Sequence, residues 1–346
     1  MAQARVFRIG TFNLFNLVLP RITYYGNRRL SQPNFDRKIA WIASQLRSMN
    51  ASIIGFQECF HGQALQQAIG TSGLYQGAKI ITTDRTDPRD GSPLPSNALV
   101  SLFPVVTSHS ISQFPTRAHV RYSGQSVPIT DFSRPVLYCQ LQIHEHLVHV
   151  FVAHLKSKRP TIEEGEDAKD PLIEALGKTR SLIRRAAEAI ALRTMILDIT
   201  RNTNAPVIVL GDLNDDARAV TNDVISGSEP WRNLRFEEKK RIWDVYLYNV
   251  KDVISRRSYQ DVYFTHIYNG HFESLDHLLV SEEFIAENRN GRIGVVEGVR
   301  LFNDHLIDDT QINEPAPVWQ SDHAQVVAQI QLDAPKPSPT PASPGE

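Results

Sequence analysis

The chain has 346 residues, 41% of them hydrophobic, and 37 Lys+Arg stand against 38 Asp+Glu for a formal charge of −1. That balance suits a globular domain with a sizeable core; it excludes a protein that holds nucleic acid or anionic lipid by bulk charge, and leaves a local basic groove open. Two cysteines, Cys59 and Cys139, exclude a disulfide framework and a Cys-rich zinc site, and no apolar run reaches the roughly 20 residues that span a bilayer.

In chain order, the run VFRIGTF at 6–12 reads as a strand, entered without the apolar stretch of a secretory signal. A cytoplasmic protein is therefore expected, or a secreted one if a signal has been removed. Residues 35–49 have helical spacing, with Ile39, Ile42, Ala43 and Leu46 on one face. Strands follow at 52–56 and 98–102, then at 135–143 and 147–153, the last two joined by a polar turn. His144, Glu145, His146 and His149 fall at that turn with side chains alternating, which reads as a solvated turn and not a zinc site. The long helical pattern 171–200 is expected to turn Leu172, Leu176, Leu182, Ile183, Ala186, Ile190 and Ile196 inward and Arg180, Arg184, Arg185 and Arg193 outward. Further strands are expected at 206–210, 262–268, 275–280 and 324–332, with Asn269-Gly270 supplying a type I′ hairpin turn. Strands alternating with helices, and hairpins among them, give an α/β protein with partly antiparallel sheets. Nothing divides residues 1–332, so one domain is expected, followed by a disordered Pro-rich tail at 333–346, DAPKPSPTPASPGE.

The chemistry collects at strand boundaries. Asn13 ends VFRIGTFN, Glu58 ends SIIGFQE, His154 ends VHVFVAH, and Asp212 and Asn214 end PVIVLGDLN. Asp276 opens DHLLV and Asp322-His323 opens DHAQVVAQI. If those two strands run antiparallel to the others, all six sites meet on one rim, a common place for active sites in layered α/β folds. Carboxylate oxygens suit Mg²⁺ or Mn²⁺. A carboxylate can take a proton from water, amides can donate to phosphate, and an Asp–His pair can aim an imidazole at developing charge. Asp304-His305, in an acidic Pro-containing stretch, reads as a dispensable surface loop.

The segments TFNLFN, GFQE, HLKS, GDLND, LDHLLVS and SDHAQVVAQI, in that order, resemble the endonuclease/exonuclease/phosphatase family over roughly residues 5–332. The resemblance implies a four-layer α/β sandwich, two mixed central β-sheets flanked by helices, and divalent-metal-dependent phosphoester hydrolysis. It implies Glu58 as the principal metal ligand with Asn13 beside it and Asp322 close by, for Mg²⁺ or Mn²⁺. Asp212 would orient or deprotonate the attacking water, Asn214 would hold the phosphate, and His323, paired with Asp276, would act on the phosphate or leaving group. His154 matches the histidine of the deoxyribonuclease and sphingomyelinase branches, and Asn97 and Arg134 match positions near the phosphate. Lys156 and Lys158, with Arg159, directly follow His154 and are expected to meet an anionic substrate. The expected activity is phosphodiester hydrolysis, most simply of DNA, with a small or lipid phosphoester as the alternative; no membrane insertion and no obligate protein partner are inferred.

Overall fold

The computed structural model describes residues 5–217, 219–228, 233–255, 263–268, 271–288, 291–308 and 317–334. The expected Asn269-Gly270 turn and the tail from residue 335 onward lie outside the described residues, as does position 262 of the expected 262–268 strand.

Two six-stranded sheets form the centre. Their strands are β1 (Val6–Leu17), β2 (Ile53–Cys59), β3 (Lys79–Ile81), β4 (Ser96–Ser101), β5 (Val105–Gln113), β6 (Asp131–Ile143), β7 (His146–His154), β8 (Val207–Asp212), β9 (Tyr248–Asn249), β10 (Asp276–Val280), β11 (Gly294–Phe302) and β12 (Gln325–Leu332). The first sheet has the order β11-β12-β1-β2-β4-β3 and the second β9-β10-β8-β7-β6-β5. Each is antiparallel except for one central parallel pair, β1 with β2 and β7 with β8. Both sheets are mixed, as expected from the sequence.

The period-2 alternation of the strands fills the space between the sheets, where Ile9, Ile53, Leu99 and Ile330 meet Val150, Val152, Leu210 and Leu278. On the far side of the first sheet, α1 (Gln32–Met49) and α2 (Gly62–Ser72) cover Phe12, Phe56 and Val100. The inward stripe of α1 is the one the sequence predicts, with Ile39, Ile42, Ala43 and Leu46 all buried. On the far side of the second sheet lies α3 (Pro171–Thr200), packing Leu192 and Ile196 onto Phe151, Val207 and Val209. Helices, sheet, sheet and helix make four layers.

The inward face of α3 departs from expectation. Leu172, Leu176, Leu182 and Ile183 are exposed, while Gly177, Ser181, Arg185, Glu188 and Arg193 are buried. The reason is polar. Glu188 accepts the backbone N–H of Ser133 at 2.8 Å and of Lys156 at 2.6 Å, and Arg185 donates to Asp215 and to the carbonyl of Lys156, both at 3.1 Å. These side chains satisfy loop backbone that would otherwise be buried without partners, so charge marks the inner face of the N-terminal part of α3, while Leu192 and Ile196 mark that of the C-terminal part. Arg180 and Arg184 are held by Glu166 at 2.6 Å and Asp131 at 3.1 Å.

At the 143–147 hairpin, Glu145 pairs with Arg5 and His149 meets the Tyr138 hydroxyl at 2.8 Å, which fits a structural turn. Gly211, with φ +142°, stands opposite Ala153 in the parallel β7–β8 register, and a methyl group there would overlap the Ala153 carbonyl oxygen. Gly211→Ala is therefore expected to destabilise the domain by about 3 kcal/mol. Urea unfolding with an unchanged slope would measure it, and a loss of only a few tenths would contradict this geometry.

Candidate active site

Because β1 and β2 run parallel, as do β7 and β8, their C-terminal ends share one edge with the starts of β10 and β12, which run antiparallel to them. The rim inferred from sequence thus forms, and it joins the two sheets. Asn13 does not end its strand, however. β1 runs on to Leu17 through a register shift after Asn13, and β2 carries another between Phe56 and Cys59. Phe15, Asn16, Glu58 and Asn214 all have φ between +48° and +60°, a conformation such residues rarely adopt and one that clusters at functional sites.

Asp212 is the hub. Its Oδ2 accepts Asn13 Nδ2 at 3.1 Å and lies 3.3 Å from His154 Nε2 and 3.9 Å from His323 Nε2. Its Oδ1 accepts the backbone N–H of Asn214 at 2.9 Å, and Asn214 Nδ2 donates to the Leu155 carbonyl at 3.1 Å. Across the site His323 Nδ1 meets Asp276 Oδ2 at 2.7 Å. The Ser321 hydroxyl donates to the Asn13 carbonyl at 2.8 Å and accepts the His323 N–H at 3.0 Å, fixing the loop ahead of β12. Thr265 Oγ1 accepts the N–H groups of Leu275 and Asp276 at 2.9 and 3.1 Å.

Burial pushes the Asp212 carboxyl up to about 7, partly offset by His323. Burial works against a charge on His323, yet Asp276 and Asp212 outweigh it and hold the ring well above the ordinary histidine range. His154 goes the other way: burial, with Arg134 and His323 nearby, keeps it neutral. Two imidazoles of opposite charge state therefore flank one carboxylate.

The expected metal residues are less tightly gathered. Glu58 accepts the Asn16 N–H at 2.9 Å, and burial raises its pKa against the pull of Arg134. Asp322 is near enough to raise it too. Among the described residues the groups whose ligand atoms lie within 4.8 Å of one another are Asp212, Asp276 and His323, and His266, Asp322 and His323; neither includes Glu58. The oxygen of Asn13 already accepts the Phe15 N–H at 3.0 Å, so this residue ties Asp212 to β1.

Of the expected substrate residues, buried Asn97 donates to the Pro135 carbonyl at 2.8 Å, and half-buried Arg134 donates to the Leu155 carbonyl at 3.2 Å. Lys158 pairs with Glu273 at 2.6 Å, and Lys156 Nζ donates to the Arg159 carbonyl at 3.2 Å. These two lysines are thus braced by the protein. Burial, with Arg134, lowers Lys156 to about 8. A cleft of about 980 Å³ opens over Asn214, Asp322 and His323, rimmed by Arg28, Arg159 and Lys178.

Two residues carry no reading from the sequence, Lys38 and His266. Lys38 is buried, donates to the Phe15 carbonyl at 2.8 Å and is brought down to about 8 by burial against Glu58 and Asp322. Its signal was a lysine on the apolar stripe of α1, between Phe35 and Ile42. His266 lies in the cleft with its ring 5.1 Å from that of His323. Residues 304–305 lie in a turn with Asp304 exposed, while His305 is half-buried: its Nε2 lies 3.1 Å from the His323 carbonyl, and its ring packs on Trp41.

The sequence profile of the Endonuclease/Exonuclease/phosphatase family matches residues 10–323. The chain belongs to this family. No curated protein sequence matches it. Among solved structures it resembles the human Nocturnin catalytic domain with bound sulfate anion, at 15% identity, 96% coverage of each chain and TM-score 0.54. It also resembles a family protein from Bacteroides thetaiotaomicron, at 16% identity, 96% coverage of each chain and TM-score 0.52. A third is D. rerio TDP2 complexed with single strand DNA product, at 12% identity, covering 94% of this chain and 98% of that one, with TM-score 0.50. At such identities the likeness is one of fold, and it agrees with the four-layer sandwich.

Proposed function

We propose that this family member is a Mg²⁺- or Mn²⁺-dependent phosphodiesterase that cleaves DNA by in-line attack of water. The observation that carries the reading is the convergence of Asn13, His154 and His323 on one buried carboxylate, Asp212, beneath a cleft with a basic rim. Asp212 takes the proton of the attacking water. The second N–H of Asn214 and the charged His323 face the phosphate oxygens, and His154 holds Asp212 in place. Glu58 and Asp322 would hold the cation, with Asn13 beside them. The donor set fits a hard ion: carboxylate oxygens predominate, and the buried Asp322 Oδ1 and Asn16 Oδ1 have no partner among the described residues. So few protein ligands suit an ion that keeps several waters. When bound, the cation supplies Lewis-acid polarisation of the phosphate.

DNA is preferred over a small or lipid phosphoester because Arg28 and Arg159 line a cleft of about 980 Å³, whose lysines Lys158 and Lys178 are braced by Glu273 and Glu174. The TDP2 structure with single strand DNA product shows that the shared fold can hold such a strand in that protein. The test is a panel with Mg²⁺ or Mn²⁺: plasmid and single-stranded DNA, bis-p-nitrophenyl phosphate, a phosphomonoester and sphingomyelin. Cleavage of DNA with a steep fall in kcat/KM as salt rises is the expected result. Arg28→Ala with Arg159→Ala lowers the salt slope by about one per lost phosphate contact and leaves the small diester unaffected. Intact DNA beside a hydrolysed monoester or sphingomyelin would overturn the DNA reading.

A further inference from the structure

One wall of the cleft carries a donor that the hydrolytic reading leaves unused, His266, beside two that it uses, Asp322 and His323. His266 opens the short strand His266–Tyr268, which pairs with His271–Glu273 so that His266 stands opposite Glu273. One ligand atom each from His266, Asp322 and His323 lies within 4.8 Å of the other two. Nδ1 of His323 is taken by Asp276, at 2.7 Å, which leaves Nε2 for a ligand. Nδ1 of His266 is buried with no hydrogen-bond partner among the described residues, and Glu273 Oε2 stands 4.0 Å from it. The carboxylate on Nδ1 of His323 is the usual backing of a metal-bound histidine, because it fixes the tautomer and raises ligand basicity. Asp322 Oδ1 is buried without a partner among the described residues, and all three side chains line the same cleft, so an ion can enter from solvent.

We propose that His266, Asp322 and His323 form a binding site for a nitrogen-preferring divalent transition metal of the Zn²⁺ or Co²⁺ class. Two imidazoles and one carboxylate with open positions suit such ions and not Mg²⁺, which favours oxygen ligands and gives up its water reluctantly. The site differs in chemistry from the oxygen set at Glu58 and shares only Asp322 with it. Occupancy takes Nε2 of His323 and releases to solvent the proton that this atom turns toward phosphate in the hydrolytic reading, so Zn²⁺ inhibits the Mg²⁺-supported reaction. Binding itself does not depend on that reading; only the inhibition does.

The test uses the full chain, stripped with chelator and titrated with Co²⁺ alone and then Zn²⁺ alone. One equivalent of Co²⁺ is expected to change the position and strength of its visible d–d absorption from those of the aqua ion, to be displaced by Zn²⁺ and to survive excess Mg²⁺. Calorimetry is expected to show His266→Ala weakening Zn²⁺ at least about 10-fold and Glu58→Gln leaving it unchanged. Equal Zn²⁺ affinity in wild type and His266→Ala would overturn the site, as would loss of binding in Glu58→Gln. Should His266→Ala fail to fold, His266→Gln replaces it. If that also unfolds, the ring ¹⁵N resonances of the wild type decide: two imidazoles shifting together at one equivalent uphold the site, and one or none refutes it. Because no hydrolysis is measured, failure here leaves the DNA reading standing.

Discussion

Replacing His323 by Ala, or Asp276 by Asn, is expected to lower kcat/KM on DNA by about 10²–10⁴-fold, and the double variant to fall little further. The non-additivity follows from the 2.7 Å contact, since a carboxylate that acts only through one imidazole has nothing left to do once the ring is gone. The pH profile carries the same information. Burial places the Asp212 carboxyl at about 7, so activity rises as that group loses its proton; a bound cation moves this limb to lower pH. His323 keeps its proton above the ordinary histidine range against the cost of burial, because of Asp276 and Asp212, so the alkaline limb lies above that range. Asp276→Asn removes one supporting charge, lowers the pKa of His323 and moves the alkaline limb to lower pH. His305→Ala with Asp304→Ala, which loses contacts to the His323 backbone and Trp41 but no group placed on the phosphate, is expected to cost a few-fold at most. A dead but folded 304/305 variant beside an active Asp276→Asn would show that the wrong Asp–His pair has been assigned.

Excess chelator is expected to abolish hydrolysis, and Mg²⁺ or Mn²⁺ to restore it. Glu58→Gln then raises the cation concentration needed for half-maximal rate by about 10-fold or more, because the charge that attracts the ion is gone while the amide oxygen can still accept the Asn16 N–H. Thermal unfolding separates this from damage to the fold: the variant keeps the wild-type midpoint without cation and gains less from added Mg²⁺. Undiminished turnover in chelator would remove the metal from the proposed function altogether.

The rim was legible because each run that alternates or stays apolar stops at a residue unsuited to burial. Asn13, Glu58, His154 and Asp212 are such stops, and topology then brings Asp276 and His323 to the same edge. What escaped was whatever depends on backbone geometry or on distant partners. The register shifts after Asn13 and before Cys59 leave no compositional mark, since Phe15, Asn16 and Glu58 take left-handed backbone without glycine. The buried face of α3 was misread because Arg185 and Glu188 satisfy loop backbone from two other segments. Hydrophobic periodicity cannot register that demand. His266 gains its meaning only from the pairing that sets it beside His323.

Val6 of β1 pairs with Gln331 of β12, so the first and last of these strands lie side by side in one sheet. A growing polypeptide leaving the ribosome can assemble the second sheet, whose last strand ends at Val280, well before it can close the first. Throughout that interval Asp212 and His154 exist without His323, and the segment carrying Asn13 and Glu58 lacks its β12 neighbour. Synthesis thus arms the centre last, and a message cut short anywhere upstream of residue 323 yields a chain that cannot cut phosphoesters by this route.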